Sequence, residues 1–256
     1  MIFAVLRLMK DFFREIVMKN TVLQRFYIRL KLFLNPDIRA SLAKQYLSGF
    51  GIEIGALHQP LLVPSRARVK YVDRLPISEL RLQYPELKEY TFRNVDIIDN
   101  GETLGKIESD SLDFVIANHF LEHCENPIKA IQSFLRVLKK GGTLYLAVPD
   151  KRFTFDSDRP ITRLEHLVKD YIEGPNWSHS EHYHEWHILV DQKFRNDPSR
   201  QIEILKDNEY SIHFHVWTYL ELFELIVYLK RELHYDFEVK EFVFVSSEFI
   251  LILKKT

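Results

Sequence analysis

Apolar positions along the chain follow two periods, and the changes between them mark its elements. From Met1 to about Leu34 the spacing is helical. Phe3, Leu6, Met9, Phe13, Ile16 and Val17 share one wide face, and Arg7, Lys10, Asp11, Arg14 and Glu15 share the other. The second half of this stretch, Val22 to Leu34, interleaves Arg25, Arg29 and Lys31 with Phe26, Tyr27, Ile28, Leu30 and Phe33. Asn35-Pro36-Asp37 predicts a break. From about Tyr46 to Pro149 short apolar runs alternate with helical stretches. Strands are expected at Ile52–Ile54, Val69–Val72, Thr91–Val95, Leu112–Ala117 and Thr143–Val148. Helices are expected at Ile77–Gln83 and Pro127–Leu138, the second closed by Lys139-Lys140-Gly141-Gly142. Nearly unbroken apolar strands alternating with helices predict a parallel sheet covered on both faces. Residues 150–217 break the rhythm, apart from a helical Thr162–Ile172. Thr218–His234 reads as a helix with Thr218 as N-cap, and Phe237–Val245 and Glu248–Leu253 read as an antiparallel hairpin closing the sheet edge. The expected architecture is α/β: N-terminal amphipathic helices over 1–40, then one domain over 41–256 carrying a mostly parallel seven-stranded sheet, with 150–217 as an insert.

Composition adds little in bulk and something locally. With 46% hydrophobic residues among 256, the chain can bury a sizeable core. A net charge of −1 gives no general attraction to nucleic acid, and no basic stripe singles out a nucleic-acid face. Residues 1–34 do hold seven Lys or Arg against two acidic residues. Two readings of that basic, aromatic-rich stretch stay open: peripheral docking at a membrane interface, or a helical lid packed on the domain that follows. No apolar run is long enough to span a bilayer, and Arg7 and Lys10 interrupt any signal-peptide core. A single cysteine, Cys124, permits no internal disulfide, so a cytoplasmic protein is expected. Nothing in the composition speaks to oligomeric state.

The chemistry gathers at strand ends. In an open α/β sheet, ligands bind outside the carboxyl ends of the strands, near the point where strand order reverses. Four such ends carry suitable residues: Glu53-Ile54-Gly55 after the first strand, Asp73 after the second, Asp96-Ile97 after the third, and Asn118-His119 after the fourth. A glycine lets backbone approach a ligand, and a carboxylate at Asp73 can accept both hydroxyls of a ribose. Asp73 follows Gly55 by 18 residues, close to the spacing used for ribose recognition in βαβ units. No G-x-G-x-x-G follows the first strand, which disfavours a nicotinamide oxidoreductase.

The stretch Gly51–Asp150 resembles the class I S-adenosylmethionine-dependent methyltransferases, in particular the methyltransferase type 11 group. The resemblance rests on Asp110-Ser111-Leu112-Asp113-Phe114-Val115-Ile116-Ala117-Asn118-His119-Phe120-Leu121-Glu122-His123, on Asn126-Pro127 after it, and on Lys139-Lys140-Gly141-Gly142 before the fifth strand. It implies a Rossmann-like methyltransferase fold and S-adenosylmethionine as cofactor. Residue by residue, it implies that Glu53 and Gly55 face the methionine moiety, Asp73 the ribose, Asp96 and Ile97 the adenine, and that Asn118 lies beneath the cofactor. The family loop is E/D-x-G-x-G-x-G, whereas Leu57 and Gln59 stand at its second and third glycines here.

Methyl transfer needs alignment and, for a hydroxyl nucleophile, a base. His119, just past the fourth strand, is the candidate for that base or for a substrate contact. Glu122 and His123 are read as tying the turn in place. The insert supplies further candidates: Asp150 and Arg152 past the fifth strand, His182 and His184 within His179–His187, and His213 and His215. Three readings of these histidines stay open: a polar, aromatic pocket for a hydroxylated acceptor such as a sugar, a scattered polar surface, or a metal site using His179, His182 and Glu185 on one helical face. Their spacing matches no standard metal signature, so no metal is expected. The function expected is O-methylation of a small molecule or glycan. The rival is a methyltransferase-like binding module without catalysis, acting through its N-terminal helices.

Overall fold

The computed structural model describes residues 38–190, 198–245 and 247–256. The amphipathic segments of residues 1–34 and the break at 35–37 lie outside the described residues. The chain divides between Leu42 and Ala43. Of the first unit only Ile38–Leu42 is described, as the start of helix α1 (Ile38–Tyr46). Everything below concerns the second unit.

Its centre is a seven-stranded sheet in the order β3-β2-β1-β4-β5-β7-β6. The strands are β1 (Gly49–Ile54), β2 (Ala67–Asp73), β3 (Ile97–Ile98), β4 (Leu112–Asn118), β5 (Leu138–Pro149), β6 (Phe237–Val245) and β7 (Glu248–Lys255). The first five pair in parallel, and β7 runs antiparallel between β5 and β6. Burial explains the parallel pairing: Phe114, Val115, Ile116 and Ala117 of β4 are all fully enclosed, as a strand covered on both faces must be. Strand order reverses at β1, which pairs β2 on one side and β4 on the other, so the crevice for a ligand opens at the carboxyl ends of those strands.

Helices α2 (Ile77–Gln83), α3 (Pro127–Val137) and α7 (Tyr219–Arg231) accompany the sheet. The Asn126 side chain caps α3 by accepting from Lys129 N, and Pro127 fills the first helical position, where no amide is needed. Thr218 and Glu221 form a reciprocal capping box at α7. Between β5 and α7 the insert folds into α4 (Leu164–Glu173), α5 (Asn176–Leu189) and α6 (Pro198–Asp207). Among the described residues no helix is long and apolar enough to cross a membrane.

Two expectations are corrected. The third strand is not Thr91–Val95 but the two residues Ile97–Ile98. The Asp96 carboxylate accepts from Tyr71 N at 2.8 Å while Asp96 N donates to Tyr71 O at 2.9 Å. Both groups of Tyr71 on this edge of β2 are thereby taken, and regular pairing starts only after residue 96. The run Lys139-Lys140-Gly141-Gly142 does not cap α3. The helix ends at Val137, and β5 begins at once, with a register shift opposite Leu112/Phe114.

Candidate active site

The carboxyl ends of β1, β2 and β4 surround a cavity of about 520 Å³, within the range of small-molecule sites. Gly55, Asp73 and His119 all line it, so three of the strand-end residues singled out by the sequence do meet in one crevice.

The first-strand loop is held from behind. Glu53 is almost fully buried, and both of its carboxylate oxygens accept from Leu61 N, at 2.9 and 3.1 Å. It does not line the cavity; it fixes the path of the loop that does. Gly55 adopts φ +66, and its amide donates to Val72 O at 3.0 Å, turning the chain away from the sheet. Leu57, at the second glycine position, also takes a left-handed backbone, φ +44, and lines the cavity. The loop thus keeps a glycine-type conformation with a leucine in it, at a cost of about 1–2 kcal/mol.

Asp73 ends β2. One carboxylate oxygen accepts from Arg74 N at 2.8 Å, and burial pushes its pKa above the usual carboxylate value. Beyond β3, Asn100, Gly101 and Glu102 complete this side. Glu102 accepts from Glu125 N at 2.8 Å and from Asn126 N at 3.2 Å, and burial pushes it up as well.

His119 follows β4 with φ +48 and a half-exposed ring. Its Nε2 lies 2.7 Å from Glu248 Oε2 and its Nδ1 3.5 Å from Glu122 Oε1. Glu122 is fully buried, which raises it, with His213 and His119 pulling the other way. His123 is partly buried and lines the cavity. Its Nδ1 donates to Ile212 O at 2.8 Å, and burial, aided by His213, lowers it to about 3, so it stays neutral near pH 7.

The opposite wall comes from the insert. His179 and Tyr183 of α5, Glu209, Tyr210 and Ser211 after α6, and Phe214 line it. Arg74 ties the two walls together through Glu209 O at 2.8 Å.

The remaining sequence candidates lie elsewhere. Asp96 and Ile97 do not line the cavity, because the Asp96 carboxylate is committed to Tyr71 N and Ile97 pairs with Val72 in the sheet. Asn118 ends β4, and neither its Oδ1 nor its Nδ2, both shielded from solvent, has a hydrogen-bond partner among the described residues. Asp150 caps the turn Lys151–Phe153 and accepts from Arg152 Nε at 3.0 Å, so neither residue reaches the cavity. His184 is exposed. His213 Nδ1 sits 2.6 Å from Asp156 Oδ2, and Arg159 bonds both Asp156 and the His213 carbonyl. His179, His182 and Glu185 do not act together: His179 lines the cavity, Glu185 binds Arg159 Nε at 2.8 Å, and His182 turns toward His166 and His215. The residues missed were Asn100-Gly101, Glu102, Tyr183 and Phe214. The Asn-Gly pair was visible as a turn signal after the third strand.

The donor set suits a nucleoside bearing a charged tail. A carboxylate stands at the end of β2 where a ribose diol would lie, and polar groups of Asn100 and Glu102 lie beyond it.

A family model described as a methyltransferase domain matches residues 40–196. No curated protein matches the chain. Among solved structures, a Rhodobacter sphaeroides protein named for zinc-dependent alcohol dehydrogenases aligns with a TM-score of 0.51 at 13% identity, covering 86% of this chain and 90% of that one. A SAM-dependent methyltransferase from Aquifex aeolicus aligns at 0.46 with 10% identity over 84% and 87%. A protein from Pyrococcus horikoshii aligns at 0.48 with 17% identity over 91% and 92%.

Proposed function

Because the chain belongs to the methyltransferase-domain family, as a class I S-adenosylmethionine-dependent methyltransferase, we propose that it methylates a hydroxyl of a small polar acceptor of the sugar or glycan class. One observation supports this reading above others: Gly55, Asp73 and His119 share a cavity whose far wall is aromatic and polar, with Tyr183, Tyr210, Phe214 and Glu209. Aromatic faces with a few polar groups between them suit a ligand that is hydroxylated on its edges and apolar on its faces.

S-adenosylmethionine, when bound, supplies an electrophilic sulfonium methyl. The rest falls to the chain. Asp73 accepts the ribose hydroxyls. The loop held by Glu53 faces the methionine end, and the Asn118 amide supports the site from below. Glu248, 2.7 Å from His119 Nε2, orients the imidazole at the cavity, where His119 serves as the base or as a contact for the acceptor hydroxyl. Phe120 and Phe214 exclude water from the crevice. The single cysteine, Cys124, is buried as a thiol, which suits a reducing cytoplasm.

The test is methyl transfer from labelled S-adenosylmethionine to pooled glycans and nucleotide sugars, run with the full chain, Asp73→Ala and His119→Ala. Turnover that falls in both variants, with cofactor binding lost only in Asp73→Ala, supports the reading. Equal turnover in all three removes it. Failure of the wild type to bind cofactor favours the non-catalytic module.

A further inference from the structure

Away from the cavity lining, four side chains converge on one point. His166 and Asp170 stand one turn apart on α4, so both project from the same face. His182 comes from α5 and His215 from the segment without regular structure before α7. His166 Nε2 lies 3.0 Å from His182 Nε2 and 3.3 Å from Asp170 Oδ2, while His215 Nε2 lies 3.6 Å from Asp170 Oδ2. Each residue offers one ligand atom, and all four atoms lie within 4.8 Å of one another. A tetrahedral zinc centre with bonds of about 2.0–2.1 Å places its ligand atoms about 3.3 Å apart.

Hydrogen bonding alone accounts poorly for the cluster. Asp170 and His215 are fully buried, and Asp170 Oδ2 has no hydrogen-bond partner among the described residues. Two imidazole nitrogens at 3.0 Å share at most one proton between them, and His215 Nε2 has only a long contact to Glu125 O, at 3.4 Å, besides the cluster itself. Burial also holds His182 and His215 below the usual histidine range, as neutral imidazoles suited to ligation. The other carboxylate oxygen is already oriented: Ser178 Oγ donates to Asp170 Oδ1 at 3.1 Å.

We propose that His166, Asp170, His182 and His215 bind a divalent transition metal, zinc by preference, in a closed four-coordinate site. Three imidazoles and a carboxylate match the ligand types of zinc, and four protein ligands leave no open position, the mark of a structural rather than a catalytic ion. Its place in the fold gives it a task. His182 precedes Tyr183, and His215 follows Phe214, both in the acceptor wall. Asn126 Nδ2 donates to Asp170 O at 2.8 Å, and Glu122 O accepts from Phe214 N at 2.8 Å, tying the same elements to the turn after β4. The ion pins α4, α5 and the segment bearing Phe214 together, and so shapes the wall against which the acceptor rests.

Full-length protein is stripped with chelator, checked for helix content by circular dichroism, and titrated with zinc in competition with a chromophoric chelator. Cobalt(II) is titrated separately. Stoichiometric zinc uptake, intense tetrahedral d–d absorption with cobalt, and a higher melting temperature with zinc are expected. His166 is the most exposed of the four, so His166→Gln is the variant suited to keeping its fold. Outer-shell partners are worth roughly 10- to 100-fold in affinity, so losing this ligand is expected to weaken zinc by more than about 100-fold. His213→Gln, in the neighbouring group of Glu122, His123 and His213, is expected to bind zinc as the wild type does. A folded wild type that takes up no stoichiometric zinc, a weak six-coordinate cobalt spectrum, or undiminished binding in a His166→Gln/His182→Gln double variant overturns the proposal.

Discussion

Glu248 Oε2 lies 2.7 Å from His119 Nε2, although the two residues are 129 positions apart in the chain. The contact joins the first residue of β7 to the turn after β4, across β5. A carboxylate there holds the imidazole in one orientation and stabilises its protonated form. Glu248→Gln keeps the size of the side chain and one hydrogen-bond acceptor but removes the charge. The expected result is a fall in kcat of at least about tenfold, with the KM for S-adenosylmethionine little changed. The rising limb of the pH–rate profile is expected to move to lower pH, because the ring loses the nearer of its two carboxylate neighbours. A variant with an unaltered profile makes the contact structural only.

Asp73 is expected to carry cofactor affinity. Its carboxylate spends one hydrogen bond on Arg74 N and lines the cavity. Hydrogen bonds to a charged group are worth about 1.5–3 kcal/mol, so Asp73→Ala is expected to weaken S-adenosylmethionine by roughly 10- to 100-fold in calorimetric titration. The same change at Asp96 is expected to leave affinity within about threefold and to lower thermal stability instead, since the Asp96 carboxylate serves Tyr71 N.

The pattern of apolar runs carried most of the sheet, because β1, β4 and β5 are enclosed on both faces and their residues have little choice but to be apolar. Gly55 and Asp73 were legible for the same reason: strand ends are fixed once the strands are. Asp96 misled because a carboxylate after an apolar run looks the same whether it faces a ligand or caps an amide, and only the geometry of Tyr71 separates the two. The cavity wall built by the insert was illegible in detail. Tyr183 faces the cavity and His184 faces solvent one residue later on the same helix, and that choice is set by how α5 packs, not by composition. The His166/Asp170 pair did leave a trace, at a spacing of four on a predicted helix, but its partners come from two other segments.

Gly101 tests whether the crevice tolerates narrowing. A Cβ built there would sit 2.5 Å from Phe120 Cζ and 2.7 Å from Ile54 Cγ2, in a buried corner where neither neighbour is a flexible chain end. Overpacking of this kind costs about 1–3 kcal/mol. Gly101→Ala is therefore expected to lower the midpoint of urea unfolding and to weaken cofactor binding together, since Phe120 and Ile54 also line the cavity. Normal affinity at reduced stability would mean that Phe120 moves away from the site.

His123 gives the fold an acid-sensitive element. It is partly buried at the edge of the cavity and neutral, with burial lowering it from 6.5 to about 3. Between those values the unfolded chain binds a proton at this residue that the folded chain does not. Stability then rises with pH across the window and is lost as pH falls, by up to roughly 1.4 kcal/mol per pH unit from this residue alone. The effect is complete only near pH 3, below the range in which most carboxylates begin to protonate. His123→Asn isolates it, because the asparagine amide can reach Ile212 O as Nδ1 does, without titrating. Urea unfolding of both proteins at several values between about pH 7 and pH 5 is expected to show the variant losing stability with a slope smaller by about one proton. Parallel slopes for the two proteins would mean that the imidazole takes up its proton in the folded state, despite its partial burial.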